Sequence, residues 1–233
     1  MLKKRLKIAL ALAVLGTTSS ANALVIGAGS ATGNCFPFGC SYWTPTYQQV
    51  YDASAFDAPL PISTLSFYRS IDTWSGNAPN TGIYTFSLST TTAAVDELSA
   101  NATANLGGNV LTVFTGALPT DVAPGSRMDI FLDNAFNYDP LFGNLLLSIN
   151  VTGLASSGNT LSFDAVDNAS DGTSRLYMAG GLRDSTGLVT GFNEALSQPV
   201  EHDQLANPVP EPTSLALFGL SLAGLFGAYR RRK

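Results

Sequence analysis

The sequence predicts an all-β protein, an antiparallel β-sandwich or jelly roll, for three reasons. About nine short stretches between Tyr47 and Asn193 alternate apolar and polar residues and are rich in β-branched and aromatic residues. Gly, Asn, Asp or Pro bound these stretches, as expected of strands separated by turns. No long amphipathic helical pattern lies between them, which disfavours a fold of alternating strands and helices.

Two stretches show the alternation most clearly. In TLSFYRS, Leu65 and Phe67 fall on one face, and in TGIYTFSLST the residues Tyr84, Phe86 and Leu88 share a face. The other predicted strands are YQQVYDAS, NVLTVFTG, RMDIFLD, NLLLSINV, TLSFDAV, SRLYMA and GLVTGFN.

One Ala-rich stretch, TTAAVDELSANATANLG, does not fit the strand pattern. Val95, Leu98 and Leu106 are its larger apolar residues, and two acidic residues lie near its start. It is expected to form either a short helix or a long loop that crosses one end of the sandwich.

The N-terminus, MLKKRLKIALALAVLGTTSSANA, has the three parts of a secretory signal peptide. A basic start over residues 3–7 precedes an apolar run over residues 8–16, which is too short to span a bilayer. Ala21 and Ala23 then form a small-x-small cleavage site. We predict a signal-peptide helix in residues 1–23, with cleavage after Ala23.

Charge is distributed unevenly along the chain. Between Leu24 and Pro210 there are four Arg, no Lys and sixteen Asp or Glu, so this part carries a net charge of −12. Such a surface repels nucleic acid and anionic lipid headgroups, which argues against both as partners of the body.

Cys35 and Cys40 are the two cysteines, and they enclose Phe36-Pro37-Phe38-Gly39. Export would bring them into an oxidising compartment, where a structural disulfide is expected. A redox or metal-binding pair is the alternative, although the chain lacks a second Cys pair and a nearby His.

Sequence character changes again after Glu194. Residues 194–209 are rich in Pro and polar residues and are predicted to be a spacer that follows a β-sandwich over residues 24–193. Residues 213–229 then carry no charge and are long enough for a transmembrane helix. Basic residues that follow such a helix favour the cytoplasmic side, and here they are Arg230, Arg231, Arg232 and Lys233.

The motif Pro210-Glu211-Pro212, followed by an apolar helix and a basic cluster, resembles the PEP-CTERM sorting domain of Gram-negative bacteria. The resemblance covers residues 210–233. It implies recognition by exosortase, a membrane protease-transpeptidase that processes the Pro-Glu-Pro region during delivery to the cell surface. A plain membrane anchor is the alternative. The expected route is therefore export, an inner-membrane-anchored intermediate, and then the cell surface or the extracellular space.

Candidate ligand-binding residues in the body are few. Trp43 and Trp74 lie at predicted loop or strand-end positions, where they could stack on sugar rings or instead fill the ends of the core. Asp164, Asp167 and Asp171 lie in DAVDNASDG, where they could bind Ca²⁺ or form a plain turn.

The sequence predicts no enzyme. His202 is the single histidine and lies in the spacer, so the body has no base for a Ser-His-Asp or Cys-His site. We expect a non-catalytic surface or extracellular-matrix protein without a cofactor, in the biofilm setting that the resemblance implies. The alternatives are a carbohydrate-binding module for exopolysaccharide and a glycan hydrolase that uses paired carboxylates.

Overall fold

A computed structural model describes residues 23–27, 33–40, 45–71, 78–155, 161–168, 171–177 and 180–194. These residues form twelve strands and contain no α-helix. The strands are β1 Leu24–Ile26, β2 Thr46–Tyr51, β3 Leu60–Tyr68, β4 Thr81–Thr91, β5 Leu111–Gly116, β6 Arg127–Tyr138, β7 Asn144–Ala155, β8 Ala165–Asp167, β9 Thr173–Tyr177, β10 Leu182–Asp184, β11 Thr186–Leu188 and β12 Thr190–Phe192.

All pairings between these strands are antiparallel. One sheet has four strands in the order β1-β12-β3-β6, and a second has six in the order β10-β9-β2-β7-β4-β5. A two-stranded sheet pairs β11 with β8. The prediction of an all-β antiparallel fold is confirmed.

The two large sheets share one apolar core. Tyr51 of the six-stranded sheet packs edge-on against Phe192 of the four-stranded sheet, with ring centroids 5.3 Å apart. Its hydroxyl is also 2.9 Å from the hydroxyl of Thr190. Leu65 and Phe67, like the face of β4 that was predicted to be apolar, are fully buried in this core. These contacts across the sheets are those expected of a β-sandwich.

The disulfide between Cys35 and Cys40 is present and closes a short turn. The turn places Phe38, which is fully buried, among rings from both sheets. Phe67 and Phe163 each lie 5.0 Å from Phe38 in edge-to-face geometry. The disulfide therefore holds an aromatic plug in the core, and the prediction of a structural disulfide is confirmed for this pair.

The Ala-rich stretch is mostly loop, with a single 3-10 turn at Ala102–Asn105. Leu98 is buried in a second, smaller cluster with Val50, Leu146 and Leu176. Because Val50 alternates with the core residues of β2, this cluster lies on the outer face of the six-stranded sheet. The stretch is thus a loop that covers that face, whereas the sequence predicted either a short helix or a loop across one end of the sandwich.

Two predicted strands are also different in the structure. GLVTGFN divides into β11 and β12, which belong to different sheets. The Val189 backbone between them donates to the carbonyl of Asp164 at 2.9 Å. Of the described residues of TLSFDAV, Ala165 and Val166 belong to the three-residue strand β8, and Phe163 forms isolated bridges to Asn34 and Arg69. Among the described residues, no helix is both long and apolar enough to cross a membrane.

Candidate functional site

An open depression of about 420 Å³ lies beside the loop after β4, and we call it the acidic depression. Three aspartates from distant parts of the chain border it, namely Asp52, Asp96 and Asp171. Asp52 caps the 3-10 turn at Ala53–Ala55, and its carboxylate accepts from the backbone of Ser54 at 2.8 Å. This bonding to Ser54 holds the pKa of Asp52 below its ordinary value.

Asp171 is the carboxylate of this depression that has one buried oxygen, Oδ2, without a hydrogen-bond partner among the described residues. Its Oδ1 accepts from the backbone and hydroxyl of Thr173, at 2.8 and 3.0 Å. Burial raises the pKa of Asp171, and the charge of Asp96 adds a smaller increase.

Asp164 and Asp167, the two other aspartates that the sequence singled out, form hydrogen bonds outside the acidic depression. Asp164 accepts from the Ser70 hydroxyl at 2.8 Å, and Asp167 accepts from the Ser185 hydroxyl at 3.1 Å. Within the described part of the chain, which includes all three, no group of three or more His, Cys, Asp or Glu residues could hold a metal ion. The calcium site therefore stays a prediction. The bonds of Asp164 and Asp167 reach distant residues, whereas the bond that Asp171 accepts from the Thr173 backbone is the local kind expected of a turn.

A second open depression of about 290 Å³ adjoins the first, and we call it the arginine depression. Asp96 borders both. Its backbone has a positive φ of 64° and donates to the Ser174 hydroxyl at 2.7 Å, which fixes the residue between the two depressions. Arg183 is exposed on β10, the strand that pairs with β9, and donates to the carbonyl of Leu98 at 2.8 Å.

Arg175 forms the polar floor of the arginine depression. Its guanidinium donates twice to Asp184, at 2.7 and 2.9 Å, and once to Asn34 at 2.7 Å. Its charged end also lies 4.3 Å from the ring centroid of Tyr177. Sequence reasoning missed this residue, because alternation along SRLYMA marks a strand but does not show which side chain pairs with the next strand.

Pairing with Arg175 also sets the ionisation of Asp184. Burial alone would raise the pKa of Asp184, but the hydrogen bonds and charge of Arg175 outweigh burial and lower it. The pair is therefore charged at neutral pH and joins β9 to β10. Since its donors are already engaged within the protein, Arg175 is better placed to support this wall than to bind a ligand.

The end of the described body is fastened by Asn193. Its backbone has a positive φ of 52°, and its side-chain oxygen accepts from the Ser63 backbone at 2.8 Å and the Ser63 hydroxyl at 3.0 Å. Its amide nitrogen donates to the carbonyl of Pro61 at 2.7 Å. These bonds hold the chain against β3 at the point where β12 ends.

Glu194 makes a second fastening at the same place. Its carboxylate accepts from the Tyr68 hydroxyl and lies 3.4 Å from the Arg127 guanidinium. Burial raises the pKa of Tyr68, and the bond to Glu194 raises it further. The β-rich body is thus tied down up to the residue where the spacer was predicted to begin.

Residues 208–233 match the family model described as the PEP-CTERM protein-sorting motif. The chain carries a PEP-CTERM sorting motif at its C-terminal region. The motif implies an exported protein that transits a membrane and is recognised by exosortase. No curated protein and no solved structure matches the chain, so the PEP-CTERM motif is the similarity on which its function can be argued.

Several predicted site residues, including those of the PEP-CTERM motif, lie outside the described residues. They are Ala21, Trp43, Trp74, Pro210, Glu211, Pro212, Arg230, Arg231, Arg232 and Lys233. Ala23 is described and exposed, and it directly precedes β1. The structure adds Asp96 and Arg183 as candidate ligand-facing residues, beside Asp171, which the sequence had already singled out.

Proposed function

We propose that this protein is a non-catalytic cell-surface or extracellular-matrix protein, whose β-rich body is the cargo of its sorting motif. The match of residues 208–233 to the PEP-CTERM motif carries the proposal. A disulfide, an aromatic core and a net charge of −12 between Leu24 and Pro210 support it, because these features suit an oxidising extracellular setting. In this function an inner-membrane-anchored form precedes delivery to the surface.

The test is mass spectrometry of surface-exposed protein from cells that contain exosortase. We expect the C-terminal peptide with Arg230, Arg231, Arg232 and Lys233 to be missing from the surface pool. Replacing Pro210, Glu211 and Pro212 together by alanine should retain that peptide and reduce the surface pool at least fivefold. His202→Ala in the spacer is the matched control. Surface protein that keeps an intact tail would contradict the proposal.

Carbohydrate binding is the second candidate, and the arginine depression favours it. Arg183 supplies donors and Asp96 supplies acceptors at its rim, which are the polar groups that bond sugar hydroxyls. Retention of the exported protein by its own exopolysaccharide should fall when Arg183 and Asp96 are both replaced by alanine. Replacing exposed Asp121 by alanine should leave retention unchanged. Equal retention of all three proteins would remove this candidate.

A further inference from the structure

The first strand of the body begins at the residue that directly follows the predicted cleavage point. Leu24 pairs with Phe192, Val25 with Gly191 and Ile26 with Thr190, so every residue of β1 is paired with β12. Ile26 is 5 % exposed, and Leu24 packs against the main core. The chain has no spacer between Ala23 and the folded body.

A second element borders the same peptide bond. Ala23 and Leu24 share the wall of a depression of about 370 Å³ with the segment Phe56–Leu60. Phe56 within this segment packs against Phe192 with ring centroids 5.5 Å apart, so the segment is itself held by β12. The backbone after Ala23 is therefore paired with β12 and lies beside a further fixed segment.

Cleavage by a protease requires the local chain to be open, because a peptide bond in a paired strand is cut only from states in which the strand has separated. In this body, a protease can reach the peptide bond after Ala23 only when Leu24 and Ile26 have separated from the core. The pairing also forms late. β1 is the first described strand and β12 the last, so the two can meet only after the whole body has emerged from the export channel.

We propose that removal of the predicted signal peptide, residues 1–23, precedes docking of β1 onto β12. We call this segment the leader. The folded body then protects the Ala23–Leu24 bond from cleavage. Docking of β1 thus sets the end of the period in which the leader can be removed. A chain that folds first keeps its leader and holds two apolar ends. This inference rests on the proposed export of the protein and on the predicted leader.

The experiment compares cleavage of purified, folded full-length precursors by a bacterial leader peptidase in detergent. One precursor has the natural sequence, and a second carries a six-residue Gly-Ser insertion between Ala23 and Leu24. A third carries the same insertion after Gly108, an exposed turn residue with open space around it. We expect the insertion after Ala23 to accelerate cleavage at least tenfold, and the insertion after Gly108 to leave it slow.

Short peptides that cover the natural and the extended junction control for sequence preference, and both should be cleaved at similar rates. Equal cleavage of the three folded precursors would overturn the inference while leaving the leader intact. Failure of the natural peptide to be cleaved after Ala23 would instead overturn the predicted leader, and the inference with it. Urea midpoints of the three precursors establish that each is folded.

Discussion

Arg175 of β9 and Asp184 of β10 form a two-point ion pair, with nitrogen–oxygen distances of 2.7 and 2.9 Å. The Arg175 side chain is 8 % exposed and that of Asp184 is 31 % exposed. Nine residues apart, the two close the hairpin that forms the outer wall of the arginine depression. The pair makes the stability of this wall depend on pH.

Asp184→Asn should destabilise the protein at neutral pH, because it leaves the buried Arg175 charge without its carboxylate. We expect the free energy of unfolding to fall by about 2 kcal/mol. This loss is smaller than for a fully buried ion pair, because Asp184 stays partly in solvent. Since the pKa of Asp184 is lowered by folding, its contribution is present above the ordinary Asp pKa and is lost as the pH falls through the lower folded value. Urea unfolding at several pH values measures this.

Asp121→Asn, which removes an exposed carboxylate, is the control for that comparison. It should change the unfolding free energy by less than about 0.5 kcal/mol at neutral pH. The ion pair would not explain the effect if Asp184→Asn lowered the free energy of unfolding by the same amount at neutral and at strongly acidic pH.

Asn193→Ala should cost about 2 to 3 kcal/mol, because it removes the bonds to Ser63 and Pro61 and keeps a side chain at positive φ. Asn193→Gly loses the same bonds but adopts this backbone freely, so it should be about 1 kcal/mol less damaging than alanine. Chemical denaturation measures both. Asn109→Ala, at an exposed side chain bonded to Thr90, should cost less than either. Equal losses in all three variants would count against this role of Asn193.

Phe38→Ala should cost about 3 to 5 kcal/mol, because it empties the space between the rings of Phe67 and Phe163. Phe142→Ala is a matched control, since Phe142 is 76 % exposed whereas Phe38 is fully buried. The control should stay within about 0.5 kcal/mol of the natural protein. Thermal and urea unfolding measure both variants. Equal unfolding midpoints for Phe38→Ala and Phe142→Ala would contradict the role of Phe38 in the core.

Asp171→Asn should raise the melting temperature at neutral pH. Because folding raises the pKa of Asp171, the charged form opposes folding above that pKa, and the penalty disappears as the pH falls and the carboxyl is protonated. Asparagine keeps an acceptor for Thr173 without the charge. The gain should therefore shrink in acid, and a melting temperature below that of the natural protein at neutral pH would contradict this.

The same variant tests calcium. If Asp171 helped to hold Ca²⁺, millimolar Ca²⁺ would raise the melting temperature of the natural protein and not that of Asp171→Asn. We expect no shift in either, because Asp164 and Asp167 are engaged with Ser70 and Ser185. A shift confined to the natural protein would establish the calcium interpretation.

Strands with long alternation could be predicted from sequence, and very short ones could not. The alternation of Tyr84, Phe86 and Leu88 sets the inward face of β4, and the structure buries all three. β1 and β10 have only three residues each, too few to show a period of two. The outer face that Leu98 covers was equally hidden, because the partners of Leu98 come from β2, β7 and β9.

The candidate site divides along the same line. The sorting motif is contiguous, so its residues could be read directly, and the family model matches them. The depressions bring Asp96 to Asp171 and Arg183 through the pairing of distant strands, which no local pattern encodes. DAVDNASDG did point to Asp171, but for a turn or metal site and not for a buried, partly unsatisfied carboxylate.

The position of Leu24 has a practical consequence for chemistry on this protein. The chain from Leu24 to Pro210 contains no lysine, so leader cleavage after Ala23 and loss of the basic tail would leave one primary amine, the α-amino group of Leu24. That amine would lie at the start of β1, on the outermost strand of the four-stranded sheet. Amine-reactive coupling would then attach every molecule to a bead or sensor chip by one strand and in one orientation.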